Sequence, residues 1–240
     1  MKTKLHLQPS AFSLQPFLFA FFLLCLTTAP TSAQTNFGSA LSFDGVDDYV
    51  SVTPSSALDL TTGTIEFWVN RGPVVANACI LGSRGNNTPA NQTRYSVHMS
   101  TNAIGLGNGS TYSTVPFASS AGQWYHVALV CSATNTPVFT NGVSAGFTGN
   151  TINTSATSLR PFTIGVTYFN GALGEWFVGK LDEVRIWNAA RSQAQIQVNM
   201  LQPLTGTEPG LVAYYRFDEA GGIKAYDATT NHLDGTLVNR

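Results

Sequence analysis

Apolar residues in the body of this chain recur at every second position, in short runs broken by Gly, Asn, Ser and Thr, and hardly anywhere at helical spacing. A period of two places alternate side chains on opposite faces of an extended strand, so each run has one face to bury and one to expose. In Thr64-Ile65-Glu66-Phe67-Trp68-Val69, the residues Ile65, Phe67 and Val69 share a face. Tyr95 to Met99 and Ala103 to Leu106 form a pair across Ser100-Thr101-Asn102. Trp124 to Val130 is apolar on both faces, as a central strand of a two-layer fold must be. Pro137 to Thr140 runs into Asn141-Gly142, which tolerates the positive φ angles of a type I′ hairpin turn. Further runs lie at Pro161 to Gly165, Phe177 to Trp187 and Leu211 to Phe217. One segment reads as a helix: Ser192 caps it with Gln195 three residues on, Ile196 and Met200 are four apart, and Pro203 stops it. The class that follows is all-β, an antiparallel two-sheet jelly-roll sandwich with one short C-terminal helix. A parallel α/β fold would need repeated helices.

Charge narrows the partners. Lys and Arg total 12 against 13 Asp and Glu, and charged residues are only 10% of 240. No global field recruits nucleic acid or an anionic membrane face, and the surface has to be neutral and polar. The N-terminus is a separate matter. Lys2 and Lys4, the apolar run Phe17 to Leu26 and the small residues Thr31-Ser32-Ala33 form a secretory signal peptide over 1–33, cleaved after Ala33. A membrane span would need about 20 apolar residues, and Pro9, Pro16 and Pro30 interrupt this stretch, so no membrane insertion is expected after cleavage. Cys25 lies in the signal. Cys79 and Cys131 remain, to pair as a disulfide if their Cα atoms come within about 7 Å, or to stay as two buried thiols.

Ala40-Leu41-Ser42-Phe43-Asp44-Gly45-Val46-Asp47-Asp48-Tyr49-Val50 resembles the opening signature of the laminin-G-like, concanavalin A-like jelly-roll domains of secreted bacterial proteins. Four later pieces fall in that family's order: Thr64 to Val69, Gly122 to Ala128, Asn141-Gly142, and Gly179 to Asn188. The resemblance implies a two-sheet jelly roll that serves as a non-catalytic sugar-binding or adhesion module, sometimes carrying calcium. It sets the domain at 34–203. Residues 204–240, with Gly210-Leu211-Val212-Ala213-Tyr214-Tyr215-Arg216-Phe217-Asp218, are similar to the stretch that precedes another such domain. They are read as a linker and the start of a further repeat; docking of this tail as an extra strand is the alternative.

Catalytic patterns are sparse. A glycosidase needs two carboxyl groups about 5 to 9.5 Å apart across a sugar, and a strand would supply them as Glu-x-Asp-x-Glu. That pattern is absent. Glu66 is the best isolated acid, set against a plain reading as an outward strand residue. No Gly-x-Ser-x-Gly elbow occurs, and His98 and His126 lack an Asp or Ser partner by spacing. No catalytic residue is assigned.

For a cation the candidates are Asp44, beside Gly45, with Asp47 or Asp48 to add a charge, and Asp182, which shares parity with Val184 and Ile186 and is therefore aimed inward. Calcium accepts such carboxylates together with backbone carbonyls, and the competing reading is a turn in which they accept backbone N–H bonds. For a sugar, flat rings pack on the pyranose C–H face and polar groups orient the hydroxyls. Trp68, Trp124 and Trp187 lie within strand patterns and read as core. Tyr168, Phe169 and Trp176, assisted by Asn170 and Glu175, form the expected platform on the loop 166–175, against a loop cluster that only covers one end of the sandwich. The expected function is a secreted or cell-surface carbohydrate-binding or adhesion module whose partner is a glycan. A structural spacer and a glycoside hydrolase are the rivals.

Overall fold

A computed structural model describes residues 37–73, 77–83, 93–109, 111–155, 160–169 and 172–239, all within one unit, Ser32–Arg240. The expected signal peptide, 1–33, lies outside the described residues. In chain order the strands are β1 (Leu41–Asp44), β2 (Tyr49–Val52), β3 (Gly63–Arg71), β4 (Ala78–Ser83), β5 (Tyr95–Met99), β6 (Ala103–Gly107), β7 (Tyr112–Pro116), β8 (Trp124–Cys131), β9 (Thr136–Thr140), β10 (Val143–Thr148), β11 (Phe162–Ile164), β12 (Thr167–Phe169), β13 (Ala172–Gly174), β14 (Val178–Trp187), β15 (Leu211–Tyr215), β16 (Lys224–Ala225) and β17 (Gly235–Val238). The helix α1 spans Gln193–Asn199.

Seven strands make the first sheet, in the order β1-β14-β3-β8-β9-β10 with β15 also on β14. Eight make the second, in the order β16-β17-β2-β11-β4-β5-β6-β7. The pairings are antiparallel, and the all-β two-sheet jelly roll stands as read from the alternation. Ile65 opposes Leu129 and Phe67 opposes Val127, all four wholly buried on the inner face. Val50, Val52, Val97 and Leu106 close the core from the second sheet. Each such side chain contributes about 1.5–3 kcal/mol by leaving water.

Helix α1 forms where its capping box predicts: Ser192 accepts from the Gln195 backbone and the Gln195 side chain returns to Ser192 N. Its Ile196 packs on Ala128 and Val130, on the outer face of the first sheet. Asn141 and Gly142 take φ of 49° and 73° in the β9–β10 turn, as the hairpin signal requires. Gly142 is also a close approach, since a Cβ there would meet Gln197 Cγ at 2.7 Å.

Three expectations are corrected. Residues 204–240 are no linker: β15 pairs with β14 in the first sheet and β17 with β2 in the second. Their alternating apolar residues, including Val212, Tyr215, Phe217 and Leu237, complete the same core. The loop 166–175 contains a hairpin, with Tyr168 opposite Leu173. Cys79 and Cys131 are not bonded to one another, because Cys131 faces the core between the sheets whereas Cys79 opposes His98, whose neighbours Val97 and Met99 occupy the inner face. Burial pushes the Cys131 thiol up to about 12. Among the described residues no helix is long and apolar enough to cross a membrane.

Candidate functional site

The outer face of the second sheet collects aromatic and polar side chains. Val50 and Val52 of β2 point into the core, so Tyr49 and Ser51 point away from it. By the same alternation Tyr95, Val97 and Met99 are inside and Ser96 and His98 outside. Against this face lie the β12–β13 hairpin and the residues that follow it. The Trp176 ring meets Tyr49 edge-on, with centroids 6.0 Å apart. Tyr168 stands beside Tyr49, and burial together with this neighbouring hydroxyl pushes the Tyr49 phenol above its ordinary pKa. The Arg160 guanidinium lies over the Tyr168 ring at 5.4 Å. Tyr49, Trp176 and Tyr168 are half-buried, each keeping part of its ring in solvent.

Polar groups continue the band. Glu175 accepts from Asn77 Nδ2 at 2.9 Å, and its other oxygen lies 3.6 Å from His98 Nδ1. His98 Nε2 is 2.8 Å from Ser96 Oγ, and its ring meets Tyr112 edge-on at 5.1 Å. Spacing gave His98 no partner, yet its partners sit two residues away on one strand and across the sheet. Ser, His and Glu in series suggest a nucleophile, base and orienting acid. Ser96 and His98 are buried at 0% and 1% exposure, however, which encloses them under Tyr112 and Glu175. Of the expected platform, Tyr168, Glu175 and Trp176 thus share this face. The Phe169 side chain and Asn170 lie outside the described residues. Sequence reasoning missed Tyr49 and His98, although their parity with Val50 and Val97 carried the signal.

The cation candidates part company. Asp44 pairs with Val178, whereas Asp182 lies four residues further along β14, about 13 Å at a strand's rise of about 3.3 Å per residue. Asp182 is also not aimed into the core. Between Asp182↔Trp68 and Arg185↔Glu66 the strand β14 carries one extra residue, a bulge with Glu183 at φ 50°, which flips the parity and sets Asp182 on the outer face beside Trp68. There its Oδ1 accepts from Glu183 N at 2.8 Å. Asp44 gathers other carboxylates instead. One oxygen each from Asp44, Asp47 and Asp48 fall within 4.8 Å of one another. Asp44 Oδ1 accepts from Val46 N at 2.8 Å and Asp47 N at 3.2 Å, and Asp48 Oδ2 accepts from Asp44 N at 3.0 Å. The backbone N–H bonds that the Asp44 carboxyl receives, the Val46 one foremost, hold it below its usual range. The turn reading is therefore realised. The donor set is all oxygen, the kind calcium takes.

Glu66, the candidate acid, faces outward from the main core as its plain strand reading has it, but it is fully enclosed under the segment that carries α1. Its Oε1 lies 3.7 Å from Arg185 Nη1, and its Oε2 lies 3.6 Å from His126 Nε2. Burial raises the Glu66 pKa against the pull of Arg185. Arg185 also pairs with Glu183, which accepts from Tyr214 OH at 2.6 Å. Burial opposes its charge, but Glu66 and Glu183 together hold Arg185 charged. Its guanidinium donates to Asn199 O at 2.7 Å and Gln202 O at 2.8 Å, fastening the segment after α1 to the sheet. These carboxylates serve a buried clamp. Trp68 and Trp187 are buried beside it as expected, whereas Trp124 is only half-buried.

Comparison with known proteins bears on the same architecture. The family model described as the concanavalin A-like lectin/glucanases superfamily matches residues 44–197. Curated proteins give no match. A Bacteroides ovatus protein, provisionally described as carbohydrate binding, superposes with TM-score 0.65 at 24% identity over 83% of this chain and 58% of its own. The present chain thus spans little more than half of that protein. The CBM40 of Ruminococcus gnavus IT-sialidase, bound to α2,3-sialyllactose, superposes with TM-score 0.54 at 17% identity, covering 67% of this chain and 95% of its own. Domain 4 of AbnA, a GH43 extracellular arabinanase from Geobacillus stearothermophilus, in complex with arabinotriose, gives 0.53 at 17% identity over 71% of this chain and 80% of its own. At these identities the likeness is one of fold.

Proposed function

We propose that this chain, which belongs to the concanavalin A-like lectin/glucanase superfamily, is a non-catalytic carbohydrate-binding module that works outside the cell, secreted or at its surface. The observation that carries the reading is the half-buried Tyr49–Trp176 pair beside Tyr168, with Glu175 next in the chain, where the β12–β13 hairpin meets the outer face of the second sheet. Rings of this kind offer a flat apolar surface to a sugar, and the carboxylate accepts from its hydroxyls. The sialyllactose-bound and arabinotriose-bound domains of the same fold support it. Glu66 and Glu183 are enclosed around Arg185, which weighs against a hydrolase built on them.

The test is a glycan array probed with the full chain and with the variants Tyr49→Ala and Trp176→Ala, each checked for an unchanged melting temperature. Binding that weakens about tenfold or more in both variants supports the sheet-face site. Binding of no glycan overturns the reading in favour of a spacer or adhesin module, and binding indifferent to both substitutions overturns the sheet-face site. Calcium belongs to the same proposal, held by Asp44, Asp47 and Asp48 without Asp182. When bound it would supply positive charge beside Tyr49, to which Asp48 is joined in the chain.

A further inference from the structure

The C-terminal segment builds a second cleft, outside residues 44–197 that match the family. Arg216, Asp218 and Glu219 follow β15, Tyr226 and Ala228 follow β16, and together they line a cleft of about 280 Å³. Tyr226 keeps 56% of its surface in solvent, although the residues on either side of it, Ala225 and Asp227, are buried. The polar groups are each positioned by one bond. Asp218 Oδ1 accepts from Ser39 N at 2.8 Å, Glu219 Oε1 accepts from Tyr226 N at 2.8 Å, and Arg216 Nη2 donates to Leu204 O at 2.6 Å. Each also keeps an atom in reserve. Asp218 Oδ2, Glu219 Oε2 and Arg216 Nη1 make no hydrogen bond among the described residues, and Arg216 Nε is buried without one.

From this geometry we infer that the cleft is a second saccharide site and that it takes a neutral sugar. The exposed Tyr226 ring offers the apolar surface on which a sugar's C–H face packs. Two carboxylate oxygens accept from hydroxyls and the guanidinium donates to hydroxyl or ring oxygens, which is the mixed donor and acceptor set that adjacent hydroxyls require. Two carboxylates against one guanidinium leave the cleft net negative, so sialic acids and uronates are repelled. The volume falls just under the roughly 300–1,000 Å³ of pockets for drug-sized ligands, which suits one or two sugar rings. The cleft exists only because the tail is docked: Ser39, at the other end of the chain, positions Asp218. It stands independently of the aromatic face of the second sheet. Two sites on one folded unit allow a single chain to bridge neighbouring glycan strands and to gain avidity without new contacts.

The experiment uses the full chain on an array carrying neutral and sialylated glycans, with Trp176→Ala, Tyr226→Ala and the double variant. The expected result is a neutral glycan that Trp176→Ala still binds and that Tyr226→Ala weakens about tenfold or more. The conservative Asp218→Asn serves as a second variant if Tyr226→Ala lowers the melting temperature, and the same loss is expected of it. Binding that disappears with Trp176→Ala and is indifferent to Tyr226→Ala and Asp218→Asn overturns the cleft while leaving the sheet face standing. Binding of every glycan on the array indifferent to Trp176→Ala, with the neutral one lost in Tyr226→Ala, does the reverse. No neutral glycan bound by the unmodified chain overturns the cleft outright.

Discussion

Glu66 Oε1 accepts a hydrogen bond from the indole Nε1 of Trp187 at 2.9 Å, between neighbouring strands β3 and β14 and wholly shielded from solvent. The same carboxylate faces Arg185, whose donation to Asn199 O and Gln202 O holds the end of α1 on the sheet. A charge this deep is tolerated because it is paired, and here Arg185 has a second carboxylate in Glu183.

Glu66→Ala is therefore expected to lower unfolding free energy by about 1–3 kcal/mol, because the Trp187 indole N–H is left buried without an acceptor while Arg185 keeps Glu183. Glu66→Gln, which can still accept from Trp187, should lose less. Urea unfolding midpoints measure both, and a Glu66→Ala midpoint equal to that of the unmodified chain would show that the clamp does not fasten this segment.

Acid should loosen the same region through His126. Burial drives its pKa down to about 3, with Arg185 adding to the effect. The unfolded chain binds a proton at His126 below about 6.5 whereas the folded one does not, so stability falls as pH drops from about 6.5 to about 3, by about 1.4 kcal/mol per pH unit from this group. Glu66, with its pKa raised by burial, acts in the opposite sense: it favours the folded state below the unfolded carboxyl pKa and loses that contribution as pH rises through its folded value. Subtracting the pH–stability curve of His126→Gln from that of the parent isolates the histidine. A difference that does not change between pH 6.5 and pH 3 would contradict its neutral burial.

For calcium, the expected outcome is a higher melting temperature in excess calcium than in chelator, with the difference lost in Asp47→Asn combined with Asp48→Asn. A ligand that binds only the folded state stabilises it in proportion to the logarithm of its concentration over Kd. Equal melting temperatures in the two conditions would leave the β1–β2 turn as a hydrogen-bonded turn and nothing more.

Deleting residues 210–240 should abolish folding. Val212, Tyr215, Phe217 and Leu237 alone are buried core side chains, each worth about 1.5–3 kcal/mol. Their loss, with two sheet edges opened, rivals the whole stability of about 5–15 kcal/mol typical of a domain. Near-ultraviolet circular dichroism of the truncated chain is the measurement, and a native spectrum would refute the docking. Limited proteolysis supplies a milder version: cleavage at the exposed Gly221-Gly222 bend should leave the two fragments associated.

Much of the candidate site was legible from residue type. Tyr168, Glu175 and Trp176 stood out as ring and acid near Gly- and Asn-rich chain, and they do share one face. Tyr49 and His98 were legible in principle, since the outward parity of each follows from the valine next to it. Loop composition marks neither of them, because here a sheet face supplies them. Asp182 differs for another reason: its inward parity holds only for an unbroken strand, and the bulge in β14, which no local pattern announces, reverses it.

Alternation at a period of two, the Asn-Gly turn and the Ser192 capping box act within a few residues of chain. They were therefore enough to determine strands, hairpin, helix and an antiparallel sandwich. Which edge the tail completes and how Glu66 comes to lie beneath α1 depend on contacts between residues far apart in sequence. Those contacts form only when the sheets close, and one inserted residue in β14 is enough to turn a side chain from the core to the opposite face. Tertiary packing alone decided them.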